Sequence, residues 1–228
     1  MKKTGLIILL GAVLLCRCQN TPIEEGQVCS VKISGVEFTK SLNGAKSFAT
    51  LESEKLLLRS PAKCDYFNEP DGTLSNSTAP VLLLKIDNSK PFTFVSKVTP
   101  TFLETYDAGT LYVYVNKNWW FKFAFEQDER RHTRAVTVRT FETSDDNNHD
   151  IINSTGVYMK ISSDTRTMGF YYSLDKQTWQ LVRLFRNDYP CETWIGVSTQ
   201  SPIGNGTQAT FEEFSLAESS VKDFRLGI

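Results

Sequence analysis

The sequence predicts an all-β fold, an antiparallel β-sandwich of jelly-roll type. Three observations carry this. After residue 27 the apolar residues recur with period two almost throughout, the spacing of a strand whose alternate side chains face opposite sides. Turn dipeptides and tripeptides break that pattern at short intervals. No stretch of a dozen residues has a helical period.

The expected strands, in order, are Gly35–Thr39, Ser47–Leu51, Lys55–Ser60, Val81–Ile86, Phe92–Thr99, Thr110–Val115, Trp119–Glu126, Arg134–Phe141, Gly156–Ser162, Thr167–Ser173, Trp179–Phe185, Thr193–Thr199 and Thr207–Ser215. They are rich in Val, Ile, Phe, Tyr and Thr, which suit a pleated, half-buried surface. Between them lie Asn43-Gly44, Asp71-Gly72, Asn88-Ser89, Asn116-Lys117-Asn118, Asn187-Asp188 and Gly204-Asn205-Gly206, residues that tolerate turn backbone or cap it with a short side chain. The run Ser144-Asp145-Asp146-Asn147-Asn148-His149-Asp150 is dense in oxygen ligands and reads as a solvated loop. It lacks the glycine and distal glutamate of an EF-hand. Ser173, Asp175 and Trp179 read as a turn stapled by short polar side chains.

The chain has 228 residues, with 25 Lys+Arg against 26 Asp+Glu, 15 Phe, 8 Tyr and 4 Trp. That balance argues against a strongly basic nucleic-acid binder and against a disordered chain. The start reads as an export leader over residues 1–17: Lys2 and Lys3, an apolar run too short to span a bilayer, then Cys16 and Cys18. Cleavage there would leave 22 basic and 26 acidic residues, a net charge of −4. The expectation is an exported bacterial protein, either a cell-envelope lipoprotein tethered by a lipid on Cys16 or Cys18, or a secreted one. That lipid would be its one membrane contact. Residues 18–27 form a spacer and 28–228 one domain. Cys29, Cys64 and Cys191 remain, an odd number whose pairing stays open. With two histidines and no later Cys-x-x-Cys, no metal and no cofactor are expected.

The strand Trp119–Glu126 alternates best. Trp119, Phe121, Phe123 and Phe125 form a core face, and Trp120, Lys122, Ala124 and Glu126 face the other way. The same reasoning turns Tyr112, Tyr114, Tyr158, Lys160 and Tyr171 away from the core. Lys122 and Glu126 stand ~13 Å apart along the strand at about 3.3 Å per residue, so neighbouring strands must complete any site.

These segments, taken with others in a fixed order, resemble a domain family that includes the fungal "regulation of enolase" protein and many bacterial exported proteins of unknown function. The residues that carry the resemblance run from Cys64-Asp65-Tyr66-Phe67 and Asn68-Glu69-Pro70 through Ala79-Pro80, Ala108-Gly109, Trp120-Phe121-Lys122 with Glu126, and Thr140 with Ser144-Asp145. They continue through Tyr172-Ser173-Leu174-Asp175 with Trp179, Gly196, Gln200-Ser201-Pro202-Ile203-Gly204 and the ending Val221 to Gly227. The resemblance implies a concanavalin A-like lectin/glucanase jelly roll and adds weight to Asp145. It implies no agreed activity, and sugar as a ligand class only by analogy.

The expected role is non-catalytic carbohydrate or glycan binding, on a face made by Trp120, Lys122, Glu126, Tyr112, Tyr114, Tyr158, Lys160, Tyr171 and Asp145. Aromatic faces stack on the C–H faces of sugar rings, and polar side chains bond the hydroxyls. Two alternatives stay open. One is a glycoside hydrolase using Glu126; the Glu-x-Asp-x-x-Glu pattern of a retaining glucanase is broken here, because Arg131 stands where the second Glu belongs. The other is an envelope module that meets a protein partner.

Overall fold

A computed structural model describes residues 26–228. The expected leader, with Cys16 and Cys18, and most of the expected spacer lie outside the described residues. The described chain runs β1 Gln27–Ile33, β2 Val36–Leu42, α1 Ala45–Phe48, β3 Ala49–Glu52, β4 Lys55–Ser60, β5 Tyr66–Asn68, β6 Ser75–Ser77, β7 Val81–Asp87, β8 Phe92–Pro100 and β9 Ala108–Asn116. It continues with β10 Trp119–Gln127, β11 Thr133–Phe141, β12 Thr143–Ile151, β13 Val157–Ser163, β14 Thr167–Ser173, β15 Gln180–Arg186, β16 Glu192–Gln200 and β17 Thr207–Ala217.

Two antiparallel sheets stack. The first has eight strands in the order β1-β2-β7-β16-β9-β10-β11-β12, and the second has seven in the order β15-β14-β13-β8-β17-β4-β3. Strands far apart in sequence are neighbours in both, as a jelly roll requires. Between the sheets lies the main core. Phe121 and Phe123 of β10 meet Phe170 of β14 at ring-centroid separations of 4.6 and 5.4 Å, and Phe185 of β15 packs on Phe121 at 4.7 Å. Burying each such ring contributes roughly 1.5–3 kcal/mol. The inner faces expected for β9, β10, β13 and β14 are the inner faces observed.

The sandwich agrees with the expected fold, and its differences have local causes. A single-turn helix, Ala45–Phe48, begins where a strand was expected from Ser47. β12 is a full nine-residue strand where a loop was expected. It lies at the sheet edge, where charged side chains blunt pairing with other chains and an apolar face is not demanded. Among the described residues, Cys29, Cys64 and Cys191 form no disulfide. The Ser173–Asp175 turn is stapled as expected: Asp175 accepts the backbone N–H groups of Gln177 and Thr178 at 2.8 and 2.7 Å. Those bonds hold its carboxyl down at about 2.

A second apolar cluster lies on the outer face of the eight-stranded sheet. The segment 64–80, carrying the β5–β6 hairpin, lies over Tyr112, Tyr114, Trp120, Ala124, Val136, Val138 and Trp194. This flap is tied at several points. Cys64 and Ser201 exchange backbone hydrogen bonds at 3.2 and 3.0 Å, Ser144 Oγ accepts the Asn68 N–H at 3.0 Å, and Asn68 Nδ2 donates to Glu142 O at 2.7 Å. Asn43 Nδ2 donates to Ser77 O and Ala79 O at 2.9 and 2.7 Å. Asn68→Ala should therefore cost about 1–2 kcal/mol, because it removes the part-buried bonds from Asn68 Nδ2 to Glu142 O and from Ser75 Oγ to Asn68 Oδ1. Chemical denaturation will measure the loss, and limited proteolysis should cut first within 61–80.

Candidate functional site

Beside the flap the outer face of the eight-stranded sheet opens into a cleft of about 390 Å³. Its floor comes from β10 (Lys122, Glu126), β11 (Val136, Val138), β12 (Asp146, Asn148) and the end of β16 (Gln200). Strands β10, β11 and β12 are adjacent in the sheet, and antiparallel pairing sets Lys122 opposite Val138 and Val138 opposite Asp146. The flap supplies one wall through Asp65, Phe67, Glu69, Leu74 and Asn76, and Tyr106, Glu129, Pro202 and Ile203 supply the other. Leu74, Tyr106 and Ile203 are exposed, so both walls offer apolar surface beside the carboxyl and amide groups of the lining.

Tyr106 is held by its loop. Asp107 is fully buried and accepts the N–H groups of Leu103 and Glu104 at 3.0 and 2.9 Å and the Ser201 hydroxyl at 2.7 Å. Tyr106 itself lies at φ 68°, a left-handed backbone that an aromatic residue adopts only when its surroundings impose it. Its carbonyl accepts Gln200 Nε2 at 3.3 Å, and the same nitrogen donates to Glu126 Oε2 at 3.2 Å.

Lys122 is 2 % exposed. Its Nζ donates to Tyr66 O at 2.9 Å, Gln200 Oε1 at 2.9 Å and Asp65 Oδ1 at 3.2 Å. An ammonium has three donors, and these three acceptors engage all of them. Lys122 therefore ties the flap to the sheet and has no N–H left for a ligand.

Glu126 is 7 % exposed. Among the described residues, Gln200 is its sole hydrogen-bond donor, on Oε2. Burial pushes its carboxyl up to about 8, the Lys122 charge opposes that shift, and Asp65, Asp146 and Asp128 reinforce it. The group is protonated at neutral pH. Asp146 is raised too, first by desolvation against the cleft wall.

Of the nine residues expected to share one ligand face, the structure brings two to the cleft, Lys122 and Glu126. Trp120, Tyr112 and Tyr114 point to the same face but lie under the flap, at 0, 0 and 2 % exposure. Trp120 meets Tyr66 edge-on at 5.7 Å, and its indole N–H donates to Lys117 O at 3.1 Å. These aromatic residues are structural. Tyr158, Lys160 and Tyr171 belong to β13 and β14 of the seven-stranded sheet, so they face the opposite side of the sandwich. There the chain's end covers two of them: Lys160 Nζ donates to Gly227 O at 2.8 Å and the Tyr171 hydroxyl to Phe224 O at 2.9 Å. Asp145 turns to the gap between the sheets and pairs with Arg183 of β15 at 3.0 Å. Its neighbour Asp146 occupies the cleft, because successive strand residues take opposite faces. The acidic run therefore does not converge on one point.

The residues that sequence reasoning missed are Asp65, Tyr106, Asp146 and Gln200. Three of them lie in or beside the segments that carry the family resemblance: Cys64-Asp65-Tyr66-Phe67, Ser144-Asp145 and Gln200-Ser201. The first and third of those segments meet at Lys122, and Ser144 of the second accepts the Asn68 N–H of the flap.

Residues 42–219 match the family described as "Protein of unknown function (DUF1349)". The chain belongs to this family. A relative of similar sequence is "Regulation of enolase protein 1" of Saccharomyces cerevisiae, 24 % identical over 173 residues, which cover 72 % of this chain and 82 % of the relative. Among solved structures, a functionally unknown Saccharomyces cerevisiae protein superposes with a TM-score of 0.72 at 23 % identity, over 79 % of this chain and 96 % of that one. The GH43 protein BlXynB of Bacillus licheniformis matches with a TM-score of 0.60 at 14 % identity, over 76 % of this chain and 35 % of that one. The DUF1349 chain thus spans about a third of that glycoside hydrolase, and the likeness is one of fold. The yeast origin of the sequence relative and of the functionally unknown structure corrects one expectation. The assignment to a bacterial cell envelope, as a lipoprotein or a secreted protein, does not stand.

Proposed function

We propose that this DUF1349 chain binds a carbohydrate without cleaving it, in the cleft between the flap and the β10–β12 strands. The carrying observation is the mixed lining of the cleft: apolar Phe67, Leu74, Tyr106 and Ile203 on its walls, and Glu126, Asp146, Asn148 and Gln200 among the groups of its floor. A sugar presents a matching mixture, with C–H faces for the apolar walls and hydroxyl groups for the polar groups of the floor. The floor is rich in acceptors, which suits a ligand whose hydroxyls donate.

Calorimetry against a panel of neutral, amino and uronic oligosaccharides tests this, after a thermal-shift screen in which a ligand that binds only the folded form raises Tm. Tyr106→Ala and Asp146→Asn are each expected to weaken binding at least about tenfold, or ~1.4 kcal/mol, at unchanged Tm in the absence of ligand. Stabilisation by no member of the panel defeats the proposal.

One observation favours glycoside hydrolysis as a second reading. A carboxyl that stays protonated near neutral pH, as Glu126 does, suits a general acid. This reading predicts product release from a bound oligosaccharide that disappears in Glu126→Gln while affinity persists.

A further inference from the structure

The charge of the cleft narrows the ligand further, on the premise that it binds a sugar. Five carboxyl groups line it: Asp65, Glu69, Glu126, Glu129 and Asp146. Among the described lining residues, Lys122 alone is basic, and its three donors are engaged inside the protein. Nearby guanidinium groups are engaged as well, Arg131 with Glu104 at 3.1 Å and Arg134 with Asp128 at 2.9 Å. Within this lining an anionic ligand would meet several charges of its own sign and no cation but the engaged Lys122.

A second observation, independent of that acidic lining, concerns the floor. Glu126 is more than nine-tenths buried, and its Oε1 accepts no hydrogen bond among the described residues. That oxygen meets the cleft as an O–H while the carboxyl is protonated, and as an acceptor for a ligand donor once it ionises. A neutral hydroxyl offers one weak donor. An ammonium offers three and a charge, in a place sheltered from water where charge-assisted bonds are strongest.

We propose that the cleft takes an amine-bearing sugar, with the ligand ammonium seated against Glu126 and the ring against Tyr106 and Phe67. The groups whose charges reach Glu126 are Lys122 on its own strand, Asp128 just beyond it, Asp65 on the flap and Asp146 on β12. Burial first, and then the three acids among these four, favour its protonated form. An arriving ammonium reverses that balance, so Glu126 gives its proton to the buffer as the ion pair forms.

The probes are a glucosamine oligomer, its N-acetylated counterpart, an oligogalacturonide and putrescine, titrated at mildly acidic pH in two buffers of different ionisation enthalpy. The expected result is at least tenfold tighter binding of the glucosamine oligomer than of the N-acetylated form, weakened by salt, with up to one proton released per ligand. Glu126→Gln should abolish the proton release, and Asp146→Asn should reduce the preference at unchanged Tm. Equal or tighter binding of the N-acetylated form overturns the amine and leaves the sugar reading standing. Tightest binding of the oligogalacturonide overturns the charge argument. Binding of putrescine without the amino sugar overturns the sugar. If no probe binds, this inference and the reading beneath it fail together.

Discussion

Lys122→Met is expected to lower stability by about 3–5 kcal/mol, the range for removing one partner of a buried ion pair. For a domain of this size that is a fall in Tm of roughly 6–20 °C. The change keeps an unbranched chain of similar length, so lost packing contributes little. What is lost is an ammonium satisfying three acceptors on two separate elements: Asp65 and Tyr66 on the flap and Gln200 on β16. The Tyr66 carbonyl and the Gln200 amide oxygen would be left buried without donors, each with a desolvation cost. The flap should loosen, exposing Trp120 and Tyr112 beneath it, so near-UV circular dichroism should change along with Tm. Asp65→Asn should cost less, since Asp65 is partly open to solvent. The double variant should cost less than the sum of the singles, with a coupling of about 0.5–3 kcal/mol. An unchanged Tm in Lys122→Met would remove the flap tie from the account of the fold.

The contrast between what was legible in the sequence and what was not has a simple physical origin. Period two reports whether a side chain faces into its sheet's core or away from it, and it did so correctly for Phe121, Phe123 and Phe125 against Lys122 and Glu126. It cannot report which of two sheets a strand joins. Tyr112 and Tyr171 both face outward by that criterion, yet they sit on opposite sides of the molecule. Nor does it register a covering segment. The flap pairs through two strands of three residues each, too short for any periodic signal, and it turns the apolar outer face of β9 and β10 into a second core. Trp120 is aromatic because it is covered, not because it awaits a sugar.

The acidic strand β12 went unseen for the opposite reason. Strand signals rest on apolar and β-branched residues, and β12 has few, because both its faces are largely open. The resemblance singles out Asp145; that residue pairs with Arg183, and its neighbour Asp146, one residue on and so on the opposite face, lines the cleft. The family resemblance supplied what periodicity could not. Its scattered short segments meet where flap, β10 and β16 join, which accounts for residues so far apart in sequence belonging to one pattern.

The second large effect is a pH dependence tied to one side chain. The Glu126 carboxyl stands at about 8 in the folded chain against an ordinary 4.5. Between those values the folded protein holds a proton that the unfolded chain has released. Stability must therefore fall as pH rises through that window, by up to about 1.4 kcal/mol per pH unit, and the loss reaches the order of 4 kcal/mol by pH 8. Below pH 4.5 both states are protonated and the favourable term is fully present. Other groups titrate across the same range. His149 is lowered by burial, so its contribution rises with pH, opposite in sign. Glu126→Gln keeps size and hydrogen bonding while removing the titration, and every other group is common to both proteins. The difference between wild type and variant then isolates the carboxyl: near zero at about pH 5, and several kcal/mol in favour of the variant at about pH 8. Denaturant unfolding of the two proteins across that range will measure it. Parallel curves would mean that Glu126 ionises freely, and with that the proton release expected on amine binding would be gone.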